Sequence, residues 1–390
     1  MFSNHTPLHV QTPSDDVALQ RRIAFMQETI KKMFAVTPEG LATKGTAALD
    51  ESGGSQVKVI QSLFDNKISD EETVMAMMDR LRGHIITAQG FDETFGSAIL
   101  FLNTLEQTIS FNGNEVLVPE VLKQLGIQVI AKTDAGLASP DALGEQYGKN
   151  NLDKLAGAGG ILQQIADRNV VGIKQRLVVV INDQAPTNAL LKDNAELMAQ
   201  CAKLCQQTIS QDGSVQGMVA MSEPEILRTG THDINTCFDV WCRQIEFLKE
   251  SYAAHQVDPS CVVIKTSLIT PSDLLLDSIS DEAIAQKTYE GLKLKLTDYA
   301  GGIVFLSGGL DADRYFSICK HIVDLARADG CQTPIGTSAS RAIQGEAREA
   351  FSKTNEFYGA SFDEERENVH RAAKVAIEKN NAVFSGNRQV

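Results

Sequence analysis

Val171-Gly-Ile-Lys-Gln-Arg-Leu-Val-Val-Val180 is a ten-residue run that is β-branched and apolar almost throughout. A strand with one solvated side alternates polar and apolar residues, whereas a strand of a parallel sheet covered on both faces does not. The run therefore predicts a buried parallel strand. Its two charges, Lys174 and Arg176, are two positions apart, so strand alternation puts both on one face. In a closed barrel that face points inward, and two cations would converge on one cavity.

Seven further runs of the same kind flank it: Thr46–Asp50, Ser97–Leu102, Gln128–Thr133, Gly217–Glu223, Val262–Ser267, Gly301–Ser307 and Pro334–Ser340. Their starts lie roughly 30 to 50 residues apart, room for a strand, a crossover helix and two loops. Helix-start signals fill the gaps, with capping-box spacing at Ser69-Asp-Glu-Glu72 and Ser361-x-x-Glu364 and a capping serine at Ser280. Eight βα units predict a single-domain (β/α)8 TIM barrel rather than an open doubly wound sheet. The barrel and its C-terminal helix are expected over 15–380, with flexible ends at 1–14 and 381–390.

Barrel chemistry sits at the C-terminal ends of the strands. Those ends read Asp50-Glu51-Ser52, Lys132-Thr133-Asp134, Glu223-Pro-Glu225, Lys265, Ser307-Gly-Gly309 and Ser340-Arg341. Two ammonium groups, Lys265 and Lys174, in one desolvated pocket push one pKa down and yield an amine that attacks a ketone. Schiff-base chemistry also needs a proton donor and a base, and Glu223 and Asp50 lie on different strands for those roles. Glu225 either holds the lysines or tunes Glu223 by like-charge coupling.

Two segments suit phosphate. Ser307-Gly308 and Ser340-Arg341 end the last two strands, where barrels bind phosphate through backbone N–H groups and a helix start. Arg341 reads as the only arginine beside them. Ser52 and Ser55, in the loop after the first strand, form with Lys132 a second anion site. Together they suggest a substrate phosphorylated at both ends.

The 390 residues carry 36 Lys+Arg against 50 Asp+Glu, a net charge of −14, which argues against nucleic acid or an anionic membrane as partner. No apolar run approaches the roughly 20 residues of a spanning helix, and the first fifteen residues have no signal-peptide pattern. A cytoplasmic location is expected. Seven cysteines without a C-x-x-C pair read as packing residues, and the scattered histidines suggest no metal site.

Ala47-Ala-Leu-Asp-Glu-Ser-Gly-Gly-Ser55, Ser222-Glu-Pro-Glu-Ile-Leu227, the strand around Lys265, Phe305-Leu-Ser-Gly-Gly309 and Ser340-Arg-Ala342 resemble the signature segments of class I fructose-1,6-bisphosphate aldolases. They occur in that family's order, from about Gly45 to Phe351. The resemblance implies a metal-independent lyase, without cofactor, cleaving fructose 1,6-bisphosphate to dihydroxyacetone phosphate and glyceraldehyde 3-phosphate. It implies Lys265 as the Schiff-base lysine, Glu223 as its acid/base with Glu225 beside it, Asp50 at the C4 hydroxyl, and Lys174 positioning substrate and carboxylates. Ser52, Ser55 and Lys132 match the 6-phosphate end, Ser307, Gly308 and Arg341 the 1-phosphate cradle, and Arg176 lies near the substrate chain. A homo-oligomer, a tetramer by resemblance, is also implied. Gln175, Thr266-Ser267 and Ser340 depart from the animal members, which have Trp, Pro-Asn and Gly there, and the chain ends Asn387-Arg-Gln-Val390 where theirs end in tyrosine. The alternatives are a Schiff-base aldolase for another ketose phosphate, such as sedoheptulose 1,7-bisphosphate or fructose 1-phosphate, and a non-catalytic scaffold of the same fold.

Overall fold

A computed structural model describes residues 13–51, 53–64, 70–157, 159–356 and 361–389. Ten strands occur among them: β1 (Gly45–Leu49), β2 (Phe95–Phe101), β3 (Thr108–Phe111), β4 (Asn114–Leu117), β5 (Gln128–Lys132), β6 (Gly172–Val179), β7 (Val219–Ile226), β8 (Val262–Ser267), β9 (Gly302–Leu306) and β10 (Ile335–Ala339). Eight of them close into a barrel in the order β1-β10-β9-β8-β7-β6-β5-β2, every neighbour parallel. These are the eight runs read from the sequence. Both faces are covered, the inner by the barrel's own side chains and the outer by helices, which is why almost every strand residue is buried.

β7 is the strand whose bounds moved most. Gly217 has φ +89°, a turn conformation that keeps it out of the strand. At the other end β7 continues through Pro224. Proline has no N–H to donate, but the register with β8 already ends at Ser222↔Ile264, and Ser267 Oγ accepts the Ile226 N–H at 2.9 Å instead. The β3–β4 hairpin escaped the sequence reading. Its Asn112-Gly113 turn has both residues at positive φ, 51° and 79°, the conformation that favours this dipeptide in tight hairpins.

In-register neighbours of a sheet share a face, so the pairs Lys132↔Lys174 and Arg176↔Glu223 put four charged residues on the barrel's inner surface. Just beneath them, Gly172 has no room for a side chain. A Cβ there would lie 2.6 Å from Val219 O and 2.7 Å from Ile130 Cδ1. On the outer face, helices lock the strands through buried hydrogen bonds: Trp241 Nε1 donates to Thr266 Oγ1 at 2.6 Å, Tyr252 OH meets Ser222 Oγ at 2.6 Å, and Tyr315 OH donates to Phe305 O at 2.7 Å. Thr266, one of the departures from the animal aldolases, thus faces the helical layer rather than the cavity.

Ser280 and Ser361 cap their helices as the spacing predicts, accepting from Ala283 N and Glu364 N. Helix Glu71–Ile86 is capped instead by Asp70, at 2.8 Å from Thr73 N, and Ser69 lies outside the described residues. The expected loose tail after residue 380 is packed. Helix Phe362–Val383 leads into Phe384, which is fully buried, Asn387 Nδ2 donates to Ala42 O at 2.8 Å, and Arg388 Nη2 donates to Thr43 O at 2.8 Å. All seven cysteines are unpaired, and burial pushes the Cys201 thiol up to about 12. Among the described residues no helix is long and apolar enough to cross a membrane.

Candidate active site

At the C-terminal end of the barrel, four charged side chains from four strands meet in one chain of ion pairs. Asp50 follows β1, Lys174 sits in β6, Glu223 in β7 and Lys265 in β8. Lys174 Nζ lies 2.7 Å from Asp50 Oδ2 and 2.8 Å from Glu223 Oε2, and Lys265 Nζ lies 3.1 Å from Glu223 Oε1. All four are buried, Lys174 with only 1% of its surface exposed. Glu223 thus shares its two oxygens between the two lysines, a geometry that links them through a proton-carrying group.

The electrostatics follow from this interleaving. Burial acts to raise the Asp50 pKa, but Lys174, Lys265 and Lys132 together outweigh it and hold the carboxyl well below its ordinary value. Glu223 is lowered in the same way, with burial opposed by Lys174 and Lys265. For Lys174, burial alone would lower the pKa; Asp50, Glu223 and Asp134 outweigh it and raise it well above 10.5. The mutual repulsion expected of the two lysines does not govern Lys174, because the carboxylates stand between and around them. Lys174 is a fixed cation.

Glu225 is drawn elsewhere. Its Oε2 lies 2.5 Å from Arg176 Nε, so its ion pair is with the arginine rather than with either lysine. Arg176 is itself one-third exposed, at the mouth of the cavity. Lys132 is half-buried and near enough to Asp50 to help lower its pKa. Ser52 lies outside the described residues. Ser55 falls in the first turn of helix Gly53–Leu63, where a loop was expected.

The two loops of the anticipated phosphate site do come together. Ser307 is buried after β9, and Gly308 and Gly309 follow with φ +54° and +91°, a turn closed by Leu310 N donating to Ser307 O at 3.0 Å. Arg341 opens helix Arg341–Glu356 directly after β10, and its Nη2 lies 3.3 Å from where a Gly309 Cβ would stand. The Ser340 hydroxyl is directed away from this turn: it donates to Glu51 Oε1 and accepts from Gln344 Nε2 at 3.0 Å. Arg348 binds the same Glu51 carboxylate, so Ser340 is part of a network joining β1 to this helix.

Arg341 is not the only arginine here. Arg228, just after β7, reaches across the end of β8 so that its Nη2 is also 3.3 Å from the Gly309 Cβ position. Sequence reasoning stopped at Leu227 because a loop residue two positions past a strand has no periodicity to betray its direction. Asp134 is the second residue missed as a site member. Its charge acts on both Lys174 and Arg176, although its place at the end of β5 was the available signal.

Comparison with known proteins gives a consistent picture. The family model for class I fructose-bisphosphate aldolase matches residues 32–380. The chain is 26% identical to fructose-bisphosphate aldolase C of Rattus norvegicus over 333 residues, covering 82% of this chain and 83% of that one. It is 27% identical to a probable class 1 fructose-bisphosphate aldolase of Xylella fastidiosa, covering 80% and 86%. Among solved structures, fructose-bisphosphate aldolase from Plasmodium falciparum, crystallised with TRAP and a small-molecule inhibitor, superposes with a TM-score of 0.78. That match is 22% identical and covers 93% of this chain and 95% of that one, a likeness of fold.

Proposed function

Because the chain belongs to the class I fructose-bisphosphate aldolase family, we propose that Lys265, Glu223, Lys174 and Asp50 carry an aldolase reaction through a Schiff base on Lys265. The observation that bears most weight is the Glu223 carboxylate shared between Lys265 at 3.1 Å and Lys174 at 2.8 Å. As Lys265 gives a proton to Glu223, its amine attacks the C2 ketone of fructose 1,6-bisphosphate. The nitrogen of the adduct passes a proton to the C2 oxygen, and Glu223 then returns its own proton to that hydroxyl, which leaves as water and forms the protonated imine. Removal of the C4 hydroxyl proton, the role proposed for Asp50, breaks the C3–C4 bond. The electron pair passes to the iminium as an enamine and glyceraldehyde 3-phosphate departs. Protonation of the enamine and hydrolysis of the imine release dihydroxyacetone phosphate and free Lys265. Lys174 stays charged throughout and stabilises the negative charge that develops on substrate oxygen.

Cleavage of fructose 1,6-bisphosphate by the purified chain, followed by a coupled assay of triose phosphate, tests the reading; a chain that folds but never turns over would overturn it. The iminium supplies the electron sink that a metal would otherwise provide. Turnover is therefore expected to survive exhaustive treatment with EDTA, and loss of activity restored by zinc would exclude the Schiff-base route. The same reading extends to a cytoplasmic homo-oligomer, for which light scattering of the purified protein is the test.

Ser307, Gly308 and Arg341 would hold the phosphate nearer the ketone, with Lys132, Ser52 and Ser55 at the other end. Arg341 is exposed and packs little, so Arg341→Ala should leave the melting temperature nearly unchanged. A charge-assisted guanidinium–phosphate contact is worth about 1.5–3 kcal/mol, and its loss should raise KM by about tenfold or more. Arg341→Lys should recover only part, since an ammonium lacks the planar fork. An unchanged KM for both variants would move the phosphate elsewhere.

A further inference from the structure

We propose that Arg228 is a second phosphate ligand, forming with Arg341 a two-arginine clamp over the Gly308-Gly309 turn; this rests on the aldolase reading of the site. The Nη2 atoms of both arginines lie 3.3 Å from the same point, the Cβ position of Gly309, and so no more than twice that distance from each other. Two guanidinium groups brought that close repel one another unless an anion sits between them.

The surroundings leave Arg228 ready for such an anion. Its side chain is only 11% exposed, and among the described residues its one carboxylate partner is Asp273, 3.0 Å from Nη2 and itself 60% exposed. Its Nε and Nη1 are buried without a hydrogen-bond partner among the described residues. Buried N–H groups of a charged side chain are costly to leave unsatisfied, so their retention at a ligand site points to the ligand. Burial lowers the Arg228 pKa, with Asp273 opposing and Arg341 and Arg314 adding to the shift, the signature of a cation whose compensation is incomplete. The backbone holds the arrangement in place. Asp273 N donates to Arg228 O and Ser272 N to His232 O, both at 2.9 Å, so the loop after β8 pins the loop after β7. β8 lies between β7 and β9 in the barrel and carries Lys265, so the clamp and the proposed nucleophile belong to neighbouring strands.

A dianionic phosphate monoester has oxygens enough for both forks, whereas a carboxylate would satisfy only one. The clamp should therefore favour ketoses phosphorylated at the carbon next to the reacting carbonyl.

The test compares wild type, Arg228→Ala, Arg228→Lys and Asp273→Ala. In Arg228→Ala, KM for fructose 1,6-bisphosphate and the inhibition constant of inorganic phosphate should both rise about tenfold or more, with a much smaller change in kcat. Arg228→Lys should recover part of the loss. Asp273→Ala distinguishes a ligand from a mere structural partner, because it removes the group that competes with phosphate for Nη2. Its KM should stay level or fall, whereas a structural ion pair would make the two alanine variants alike. Thermal shift with inorganic phosphate supplies a readout independent of turnover. Wild type should gain melting temperature with phosphate and Arg228→Ala distinctly less, while without phosphate the variant should be at least as stable as wild type. If wild type turns over but Arg228→Ala keeps its KM and its phosphate response, the clamp is wrong and the aldolase reading stands. If wild type does not turn over, the aldolase reading fails, and the phosphate-dependent shift still decides whether Arg228 binds the anion.

Discussion

Borohydride reduction in the presence of dihydroxyacetone phosphate is expected to add the reduced substrate mass to the peptide containing Lys265, and Lys265→Met is expected to abolish both the adduct and turnover. Three lysines stand near the pocket, so the assignment is a real choice among them. Lys174 is excluded as nucleophile by its partners. Two carboxylates at 2.7 and 2.8 Å hold it charged, and its pKa is raised. Attack would require it to lose its proton and break both contacts inside the barrel. Lys132 is only half-buried, on β5, and among the described residues no carboxylate lies within ion-pair distance of it to take its proton. Among the described residues Lys265 has one ion-pair partner, the Glu223 Oε1 at 3.1 Å, and that partner is a group able to take its proton. A covalent nucleophile with no substitute should lose several orders of magnitude in rate when removed. An adduct on the Lys132 or Lys174 peptide, or turnover by Lys265→Met within tenfold of wild type, would overturn the assignment.

How much of this was legible in the chain depends on what kind of signal each residue leaves. The eight barrel strands were, because a parallel strand covered on both faces must be apolar nearly throughout, and such runs stand out against amphipathic helices. Lys174 and Arg176 could be placed on one face, since strand alternation is fixed by covalent geometry. Register was not legible. Nothing in Val171–Val180 tells which residue of β7 lies beside Arg176, so the partition of Glu223 to the lysines and Glu225 to Arg176 had to come from the structure. The hairpin Thr108–Leu117 hid inside a gap already long enough for a helix, although its Asn-Gly turn was in plain view. Arg228 left no periodic signal at all, because loops after strands aim their side chains through tertiary contacts, here the hydrogen bonds from Asp273 and Ser272. Position at the end of β10 says nothing of where the Ser340 hydroxyl turns: it bonds Gln344 one helical turn on and Glu51, 289 residues earlier in the chain, a contact that only the closed barrel brings about.

Lys174→Met is expected to damage stability and catalysis together, with a dependence on pH that identifies the cause. Removing one partner of a buried ion pair costs about 3–5 kcal/mol, because the remaining charge is left without compensation. Here two carboxylates, Asp50 and Glu223, would remain. In the native site their pKa values are lowered from 3.8 and 4.5, so the folded state binds fewer protons than the unfolded state and stability rises with pH through the ordinary carboxylate range. That contribution is present above the unfolded pKa values and is lost as pH falls through the folded ones. Burial, the largest influence on both groups, acts the other way, and Lys174 is the largest of the charges that outweigh it. Without Lys174, burial and the mutual repulsion of the two carboxylates raise at least one pKa. The folded variant then binds the extra proton, and its stability falls as pH rises from the ordinary carboxylate value to the raised one. The gap between wild type and variant should accordingly be narrower near pH 4 than near pH 7 and widen between them, as read from chemical denaturation at a series of pH values. Turnover should drop by about 100-fold or more, the scale of losing positioned proton transfer, because Glu223 can no longer be held ionised beside Lys265 by a second cation. A stability gap that stays constant from pH 4 to pH 7 would show that Lys174 contributes packing alone, and its role as the cation that holds Asp50 and Glu223 ionised would then have to be abandoned.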